Sequence, residues 1–280
     1  MKLRNMILIG LVAMCLIGTT PVQALQAEKE GKIGVIVTIL PQAEFVEKVG
    51  GNRVSVTVMV PPGASPHSYE PKPGQLVQVS KAKMYAKVGS GVEFERVWMD
   101  KIINTNREMV VVNCSRGIEL IEGDPHVWLS PKNAKIMVDS IYKGLAQIDP
   151  SNSEYYSKNR EAYLRGLDDL NKGIAESLSG MKNRKILVYH PAWGYFCRDY
   201  NLEQLAIEKE GKEPTPRGIA SAIEQAKENN ITVVFASPQF SQKSAEVIAR
   251  EINGKVILID PLAKNYTENL RKVAESLAKI

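Results

Sequence analysis

Residues Ser151–Ser179 read SNSEYYSKNREAYLRGLDDLNKGIAESLS and divide the sequence into two halves. The large apolar residues of this stretch recur every three or four positions, which is the spacing of one face of a helix. Ser151-Asn152-Ser153-Glu154 has the pattern of a capping box, and Gly180 follows as a C-terminal stop. A helix of this length runs roughly 40 Å, the size of a small protein. We therefore predict a rigid linking helix over residues 150–180 that joins two lobes.

On both sides of this helix, short β-branched runs alternate with amphipathic stretches. The runs that we predict as strands cover residues 33–37, 54–60, 84–88, 109–112, 185–189, 202–207, 231–236 and 255–259. Strands separated by helices are typical of parallel sheets with right-handed crossovers. The prediction is an α/β protein with an N-terminal lobe at residues 25–149 and a C-terminal lobe at 181–280. Each lobe should be a small parallel sheet flanked by helices.

The first residues have the pattern of an export signal. Lys2 and Arg4 precede an apolar run over residues 6–18, and the small-residue segment Val22–Ala24 follows. This order predicts a secretory signal peptide over residues 1–24. The run is shorter than the roughly 20 residues that span a bilayer, which argues against a transmembrane anchor. Lipidation of Cys15 is an alternative, and in either case we expect an extracytoplasmic protein, periplasmic or at the cell surface.

The composition argues against binding of nucleic acid. The formal charge of +5 falls to +3 once Lys2 and Arg4 are removed, and no Lys/Arg run is interleaved with aromatics. Apart from Cys15, the chain has two cysteines, Cys114 and Cys197, which fall in different predicted lobes. A disulfide between them would lock a cleft, so we expect two buried free thiols.

The histidines carry the functional signal. The chain has three, and each abuts a proline, in Pro66-His67, Pro125-His126 and His190-Pro191. His190 and Asp260 directly follow predicted strands, whereas His67 and His126 lie in loops that follow strands. Ligands of open α/β sheets bind beyond the carboxyl ends of the strands. Three imidazoles and a carboxylate suit a borderline-soft divalent metal ion. We predict that these four residues bind one metal ion, although any histidine taken alone is more often structural.

Several motifs resemble those of the zinc/manganese substrate-binding proteins of ABC transporters. They are His67-Ser68-Tyr69-Glu70-Pro71, Asp124-Pro125-His126-Val127-Trp128-Leu129, His190-Pro191-Ala192-Trp193-Gly194-Tyr195-Phe196, Pro238-Gln239-Phe240 and Asp260-Pro261-Leu262. The resemblance implies two lobes joined by a rigid helix, with metal coordinated by His67, His126, His190 and Asp260. The manganese branch typically has glutamate at the position of His190. Three nitrogen ligands favour Zn²⁺ over Mn²⁺, which prefers oxygen-rich sites.

The expected function is therefore high-affinity binding of zinc in a cleft between the lobes and delivery to an ABC importer. We expect a monomer that meets the membrane through the permease or a lipid anchor, with permease and ATPase as partners. One alternative is a manganese carrier of the same family, and another is a surface adhesion protein with a structural metal. A third is a secreted zinc hydrolase. A catalytic zinc keeps three protein ligands and a water, whereas a fourth ligand is predicted here without a His-Glu-x-x-His motif, so we expect no enzyme.

Residues around the predicted ligands have simpler interpretations. Trp128, Trp193 and Phe196 are expected to shield the site from water. Asp124 either orients His126 or caps its loop. The acidic residues Glu208, Glu210 and Glu213 are interpreted as a solvated run.

Overall fold

The computed structural model describes residues 31–208 and 212–279. From Lys32 onward the chain forms one compact unit that contains two separate parallel sheets. The predicted signal peptide, residues 1–24, lies outside the described residues. Within the described part of the chain, no helix is both long enough and apolar enough to cross a membrane.

Each sheet has four strands in the same order. The elements of the first half are β1 (Ile33–Val37), α1 (Leu40–Gly50), β2 (Val54–Val58), α2 (Pro73–Lys81), β3 (Met84–Lys87), α3 (Glu93–Thr105), β4 (Val110–Asn113) and α4 (Pro131–Ile148). Their sheet has the order β2-β1-β3-β4, and every pair is parallel. Val35 of β1, for example, lies opposite Val56 of β2 on one side and Met84 of β3 on the other.

The second half follows the long helix α5 (Ser153–Leu178) and repeats this topology. Its elements are β5 (Lys185–Val188), α6 (Gly194–Asp199), β6 (Glu203–Ala206), α7 (Pro216–Glu228), β7 (Val233–Ala236), α8 (Lys243–Glu251), β8 (Lys255–Leu258) and α9 (Tyr266–Leu277). The sheet order is β6-β5-β7-β8, again all parallel. The predicted architecture of two small parallel sheets flanked by helices is confirmed, with element ends that differ by one or two residues.

Local chemistry explains where several helices begin. Proline occupies the first turn of α1, α2, α4 and α7, where its missing N–H is not needed and its fixed φ suits the helix. The side chain of Ser130 accepts a hydrogen bond from the Asn133 backbone N–H at the start of α4. Thr215 accepts from the Gly218 N–H at the start of α7 in the same way. These caps satisfy donors that have no partner within the helix.

The long helix α5 (Ser153–Leu178) has 26 residues, about 39 Å at its usual rise. Its buried residues are the six apolar side chains whose spacing predicted it: Tyr156, Tyr163, Leu167, Leu170, Ile174 and Leu178. It packs against α1 and α4 of the first half and α9 of the second. One scaffold helix thus supports both sheets. The predicted lobe boundaries next to it stay a prediction.

The start of α5 differs from the predicted capping box. A 3-10 turn over Pro150–Asn152 precedes the helix, and the cap position is Asn152, whose side chain makes no cap hydrogen bond. The Asn152 amide instead donates to both carboxylate oxygens of Asp149, each at 2.9 Å. Proline at position 150 favours the tight turn, so the helix begins one residue later than the capping-box pattern indicated.

The second sheet buries both of its faces. Ile186 and Val188 of β5 belong to the large core that also contains the buried face of α5. Leu187, between them, points to a separate cluster with Val234 and Ile248, since successive side chains of a strand alternate between faces. Cys114 and Cys197 are both buried and free, as predicted.

Candidate metal centre

At the carboxyl end of each strand of the second sheet lies a polar side chain that takes part in a row along this edge. In the spatial order β6-β5-β7-β8, these residues are Glu208, His190, Gln239 and Asp260. Neighbours in this row are hydrogen-bonded in pairs, Glu208 with His190 and Gln239 with Asp260. The sheet edge is therefore a row of four polar side chains that the parallel strand order brings together.

The first half contributes two histidines from loops. His67 lies in the loop between β2 and α2, and its backbone N–H donates to Ser65 Oγ at 3.3 Å. His126 lies between β4 and α4, at the start of a 3-10 turn over Val127–Leu129. The Pro125 carbonyl in front of it accepts a hydrogen bond from the Ser90 hydroxyl. These contacts fix the backbone on which both imidazoles are carried.

The structure brings the three histidines together. One ring nitrogen of each of His67, His126 and His190 lies within 4.8 Å of the others, a group that could hold a metal ion. The Nε2 atoms of His126 and His190 are 3.2 Å apart. Two nitrogens at about 2.0–2.1 Å from one tetrahedral Zn²⁺ would be separated by about 3.3 Å. The spacing of the histidines therefore matches that of ligands to one small cation.

Asp124 holds the His126 ring. Its Oδ1 accepts from the His126 backbone N–H at 2.9 Å and from the ring Nδ1 at 2.8 Å. Both interpretations drawn from the sequence thus apply, because one carboxylate oxygen caps the loop and orients the imidazole. The other oxygen, Oδ2, is buried and has no hydrogen-bond partner among the described residues.

Glu208 orients the ring of His190 through Nδ1, as Asp124 orients the ring of His126. Its Oε2 lies 3.0 Å from Nδ1 of His190, and the side chains are 2% and 6% exposed, respectively. The interpretation of Glu208 as part of a solvated run is therefore wrong. Glu213 is also engaged, accepting from the Tyr189 hydroxyl, whereas Glu210 lies outside the described residues. No sequence pattern identified Glu208, because its contact depends on β6 lying beside β5.

These two carboxylates decide which nitrogens face the centre. A carboxylate accepts, so Nδ1 of each ring donates, and each Nε2 presents a lone pair. Two lone pairs 3.2 Å apart repel unless a cation lies between them. Burial lowers the pKa of His67 and of His126 below the usual 6.5; the neighbouring histidines lower it further, whereas Asp124 opposes the shift at His126. These shifts favour the neutral form of His67 and His126, which is the form in which imidazole binds a metal ion.

Asp260 is not part of the histidine group. Its Oδ1 accepts from Gln239 Nε2 at 2.7 Å and from the Leu262 backbone N–H at 2.9 Å. Its carbonyl accepts from Asn269 Nδ2 at 2.7 Å, which ties it to α9. The next residue, Pro261, lines the same small cavity as the three histidines. Coordination by Asp260 stays a prediction.

His67 is the least restrained of the three histidines. Its side chain is 30% exposed, and its nearest carboxylate, on Glu93, lies 3.8 Å from Nδ1. This separation is too long for a hydrogen bond. The other two rings, by contrast, are buried and lie within hydrogen-bond distance of carboxylates.

Aromatic side chains close the centre on one side. Trp128 lines the cavity and donates from Nε1 to the Pro261 carbonyl at 2.7 Å, which joins the two halves. Phe240 stacks on the His190 ring, with centroids 4.6 Å apart. Trp193 and Phe196, which the sequence analysis expected to shield the site, pack edge-on against each other in the core. Phe240 was the residue that this prediction missed.

Two cavities meet at the histidines. The inner cavity is small: the centre of a water-sized sphere can occupy about 20 Å³ of it. This volume holds about one water molecule or one ion. The outer one is an open vestibule of about 800 Å³ that reaches His67, His126 and His190 from solvent. Its wall carries the charged residues Glu93, Arg96, Glu122 and Asp124. An inorganic ion fits the inner cavity, whereas an organic ligand does not.

Comparison with known proteins gives one consistent family. Residues 35–280 match the family model of ZnuA, described as zinc-uptake complex component A, periplasmic. The chain is 29% identical over 275 residues to the high-affinity zinc uptake system protein ZnuA of Bacillus subtilis (strain 168), covering 90% of this chain and 85% of that protein.

Solved structures agree with this match. A crystal structure of ZnuA has a TM-score of 0.86 and 43% identity, and the match covers 89% of this chain and 99% of that one. A ZnuA deletion mutant with zinc bound has a TM-score of 0.84 and 43% identity, over 89% and 97% of the two chains.

Proposed function

The chain belongs to the ZnuA family of periplasmic zinc-uptake components, and we propose that it binds one Zn²⁺ through His67, His126, His190 and Asp260. The family consists of solute-binding proteins that act outside the cytoplasm with components of an ABC transporter. The proposal adds the ligands, the preference for zinc over manganese and the transfer of the ion to a permease powered by an ATPase. The protein works as a monomeric carrier, with no catalytic role.

One observation carries this proposal. His126 and His190 point their Nε2 atoms at each other across 3.2 Å, while each Nδ1 is bound to a buried carboxylate. Each Nδ1 thus has a hydrogen-bond acceptor. The lone pairs on the two Nε2 atoms face each other, and a cation between them can bind both. Carboxylate partners also raise the basicity of ligating imidazoles and fix their orientation. His67 and Asp260 complete a four-ligand set when they move toward the ion.

The donor types support zinc. Three imidazole nitrogens with one carboxylate oxygen suit Zn²⁺ in four-coordination, whereas Mn²⁺ prefers oxygen-rich, six-coordinate sites. The carboxylates of Asp124 and Glu208 lie behind the rings of His126 and His190 and help to balance the divalent ion without entering its coordination shell. The resulting site is compact and rich in nitrogen.

The fold supports release by small movements. Because α5 packs against helices of both halves, large rotation of one half against the other would break its buried face. We infer that release proceeds by a slight shift of the halves together with rearrangement of the loops around His190 and Asp260.

Competitive titration tests the proposal. Purified protein lacking residues 1–24 is dialysed against Zn²⁺ and Mn²⁺ at equal free concentrations, and the bound metals are measured by elemental analysis. We expect one equivalent of zinc and little manganese. His126→Ala should lose zinc, whereas Asp100→Ala, at an exposed position on α3, should bind like the wild type. Predominance of manganese would refute the metal assignment, and retention of zinc by His126→Ala would refute the ligand set.

A further inference from the structure

Asp260 is held through one of its two carboxylate oxygens. Oδ1 accepts both from Gln239 Nε2 and from the Leu262 backbone N–H, at 2.7 and 2.9 Å. A carboxylate oxygen has about two lone-pair directions, so Oδ1 is saturated. The hydrogen bonds among the described residues leave Oδ2 with both of its lone pairs. Oδ2 is therefore the oxygen that Asp260 can offer to a metal ion.

In this state of the protein, the backbone around Asp260 is held by contacts that do not involve Gln239. Asn269 Nδ2 donates to the Asp260 carbonyl at 2.7 Å, and Trp128 Nε1 donates to the next carbonyl, that of Pro261, also at 2.7 Å. What remains free is rotation of the carboxylate about its own side-chain bonds. The Gln239 amide restricts this rotation.

The side-chain amide of Gln239 has a hydrogen-bond partner for its nitrogen but not for its oxygen. Its Oε1 is buried without a hydrogen-bond partner among the described residues, while its Nε2 donates to Asp260. A buried acceptor without a partner costs free energy, and an apolar side chain of the same shape would avoid that cost. The amide at this position therefore serves the contact with Asp260 rather than the stability of the fold.

The number of Asp260 oxygens that coordinate the ion affects whether zinc or manganese is preferred. With three histidine nitrogens, one oxygen of Asp260 completes the four-coordinate set that Zn²⁺ prefers. Both oxygens would raise the coordination number and the share of oxygen ligands, which suits Mn²⁺. Any group that keeps Oδ1 out of the coordination shell thus disfavours manganese.

We propose that Gln239 is a specificity-determining residue: it occupies Oδ1 of Asp260, confines this ligand to one oxygen and so favours zinc over manganese. Gln239 is a positioning residue, because it acts on the ion through Asp260. The inference rests on the proposed function, in particular on coordination by Asp260.

The test is Gln239→Met, which keeps the length of the side chain and removes the amide donor. We expect the ratio of zinc to manganese affinity to fall about tenfold or more, the size of effect typical for outer partners of metal ligands. Loaded with Co²⁺, the variant should absorb more weakly in the visible range than the wild type, since four-coordinate Co²⁺ absorbs more strongly than higher-coordinate Co²⁺. The matched control is Gln42→Met, a buried amide that bonds to Thr38 and Ala86, which should leave the ratio and the spectrum unchanged.

An unchanged affinity ratio in Gln239→Met, with zinc still bound tightly by the wild type, overturns the role of Gln239 and leaves the proposed function standing. A crystal structure of the manganese-loaded wild type gives a second test that needs no variant. One Asp260 oxygen on the metal with the Gln239 contact intact supports the inference, and two oxygens on the metal overturn it. Failure of the wild type to bind zinc at all would instead refute the proposed function itself.

Discussion

Glu208 Oε2 accepts a hydrogen bond from His190 Nδ1 at 3.0 Å, and both side chains are buried. The two residues are 18 positions apart in the chain, but they follow neighbouring strands, β5 and β6. The contact gives His190 the tautomer with its lone pair on Nε2, directed at His126. The first prediction concerns this pair.

Replacing Glu208 should weaken zinc binding without unfolding the protein. Glu208→Gln keeps an acceptor for Nδ1 but removes the charge, whereas Glu208→Leu removes both. We expect losses of zinc affinity of about 10-fold and about 100-fold respectively, the range known for outer partners of ligating histidines. Glu203→Gln, at an exposed position on β6, is the control. Isothermal titration of each variant with zinc measures the effect, and equal affinities across the series would show that Glu208 does not support the site.

Gly194→Ala should disturb the site through Asp124. A Cβ atom built on Gly194 overlaps Asp124 Oδ2, so the carboxylate that orients His126 must move. We expect zinc affinity to fall about tenfold or more, as for loss of an outer partner. Gly173→Ala is the matched control, because a Cβ there meets nothing within 4 Å and alanine stabilises an exposed helical position by about 0.5–1 kcal/mol. Wild-type zinc affinity in Gly194→Ala would mean that Asp124 is free to shift without consequence.

Zinc binding should weaken on acidification. Burial, reinforced by the neighbouring histidines, places the pKa values of His67 and His126 below 6.5, so both rings stay neutral to a lower pH than free histidine. Protons then compete with the metal for the same nitrogens. We therefore expect affinity to change little near neutral pH and to fall steeply toward about pH 5. Competition with a chelator of known pH dependence measures this, and constant affinity down to about pH 5 would count against imidazole ligation.

The same shifts predict how the metal-free protein responds to acid. An unfolded chain, with histidine pKa near 6.5, binds more protons than the folded chain below that pH. The free energy of unfolding therefore rises with pH across this window, and the contribution is lost as pH falls from about 6.5 through the lowered values. Urea unfolding of the metal-free protein at several pH values checks the sign. A double variant, His67→Gln with His126→Gln, should flatten the dependence.

Removal of the metal should leave the fold intact. The cores around α5 and the second sheet are built from apolar side chains without the histidines, so the chelated protein should keep its circular dichroism and unfold cooperatively. Zinc at about 100 times Kd should then add about 2.7 kcal/mol by mass action. Calorimetry with and without chelator measures both. Loss of secondary structure on chelation would indicate a structural metal, as in the adhesion alternative.

The order of elements could be predicted from the sequence because each depends on local periodicity. The buried side of α5 consists of the same six residues whose spacing predicted the helix. The positions of His67, His126 and His190 after strands were sufficient to predict their convergence, since parallel strands end at a common edge. The shift of the α5 start shows the limit of such patterns. The side-chain amide of Asn152 donates to the Asp149 carboxylate, a contact that the capping-box pattern did not predict.

The α/β architecture, the scaffold helix and the three histidines could be predicted from the sequence alone, because helix periodicity, strand alternation and the chemistry of imidazole act within short segments. The polar groups that contact those histidines are known only from the folded arrangement of the chain. The strand order β6-β5-β7-β8 sets Glu208 beside His190 and Gln239 beside Asp260, and it turns an acidic residue of a polar loop into a buried partner. Such pairings depend on which strands are neighbours, and long-range packing of the whole chain selects that arrangement.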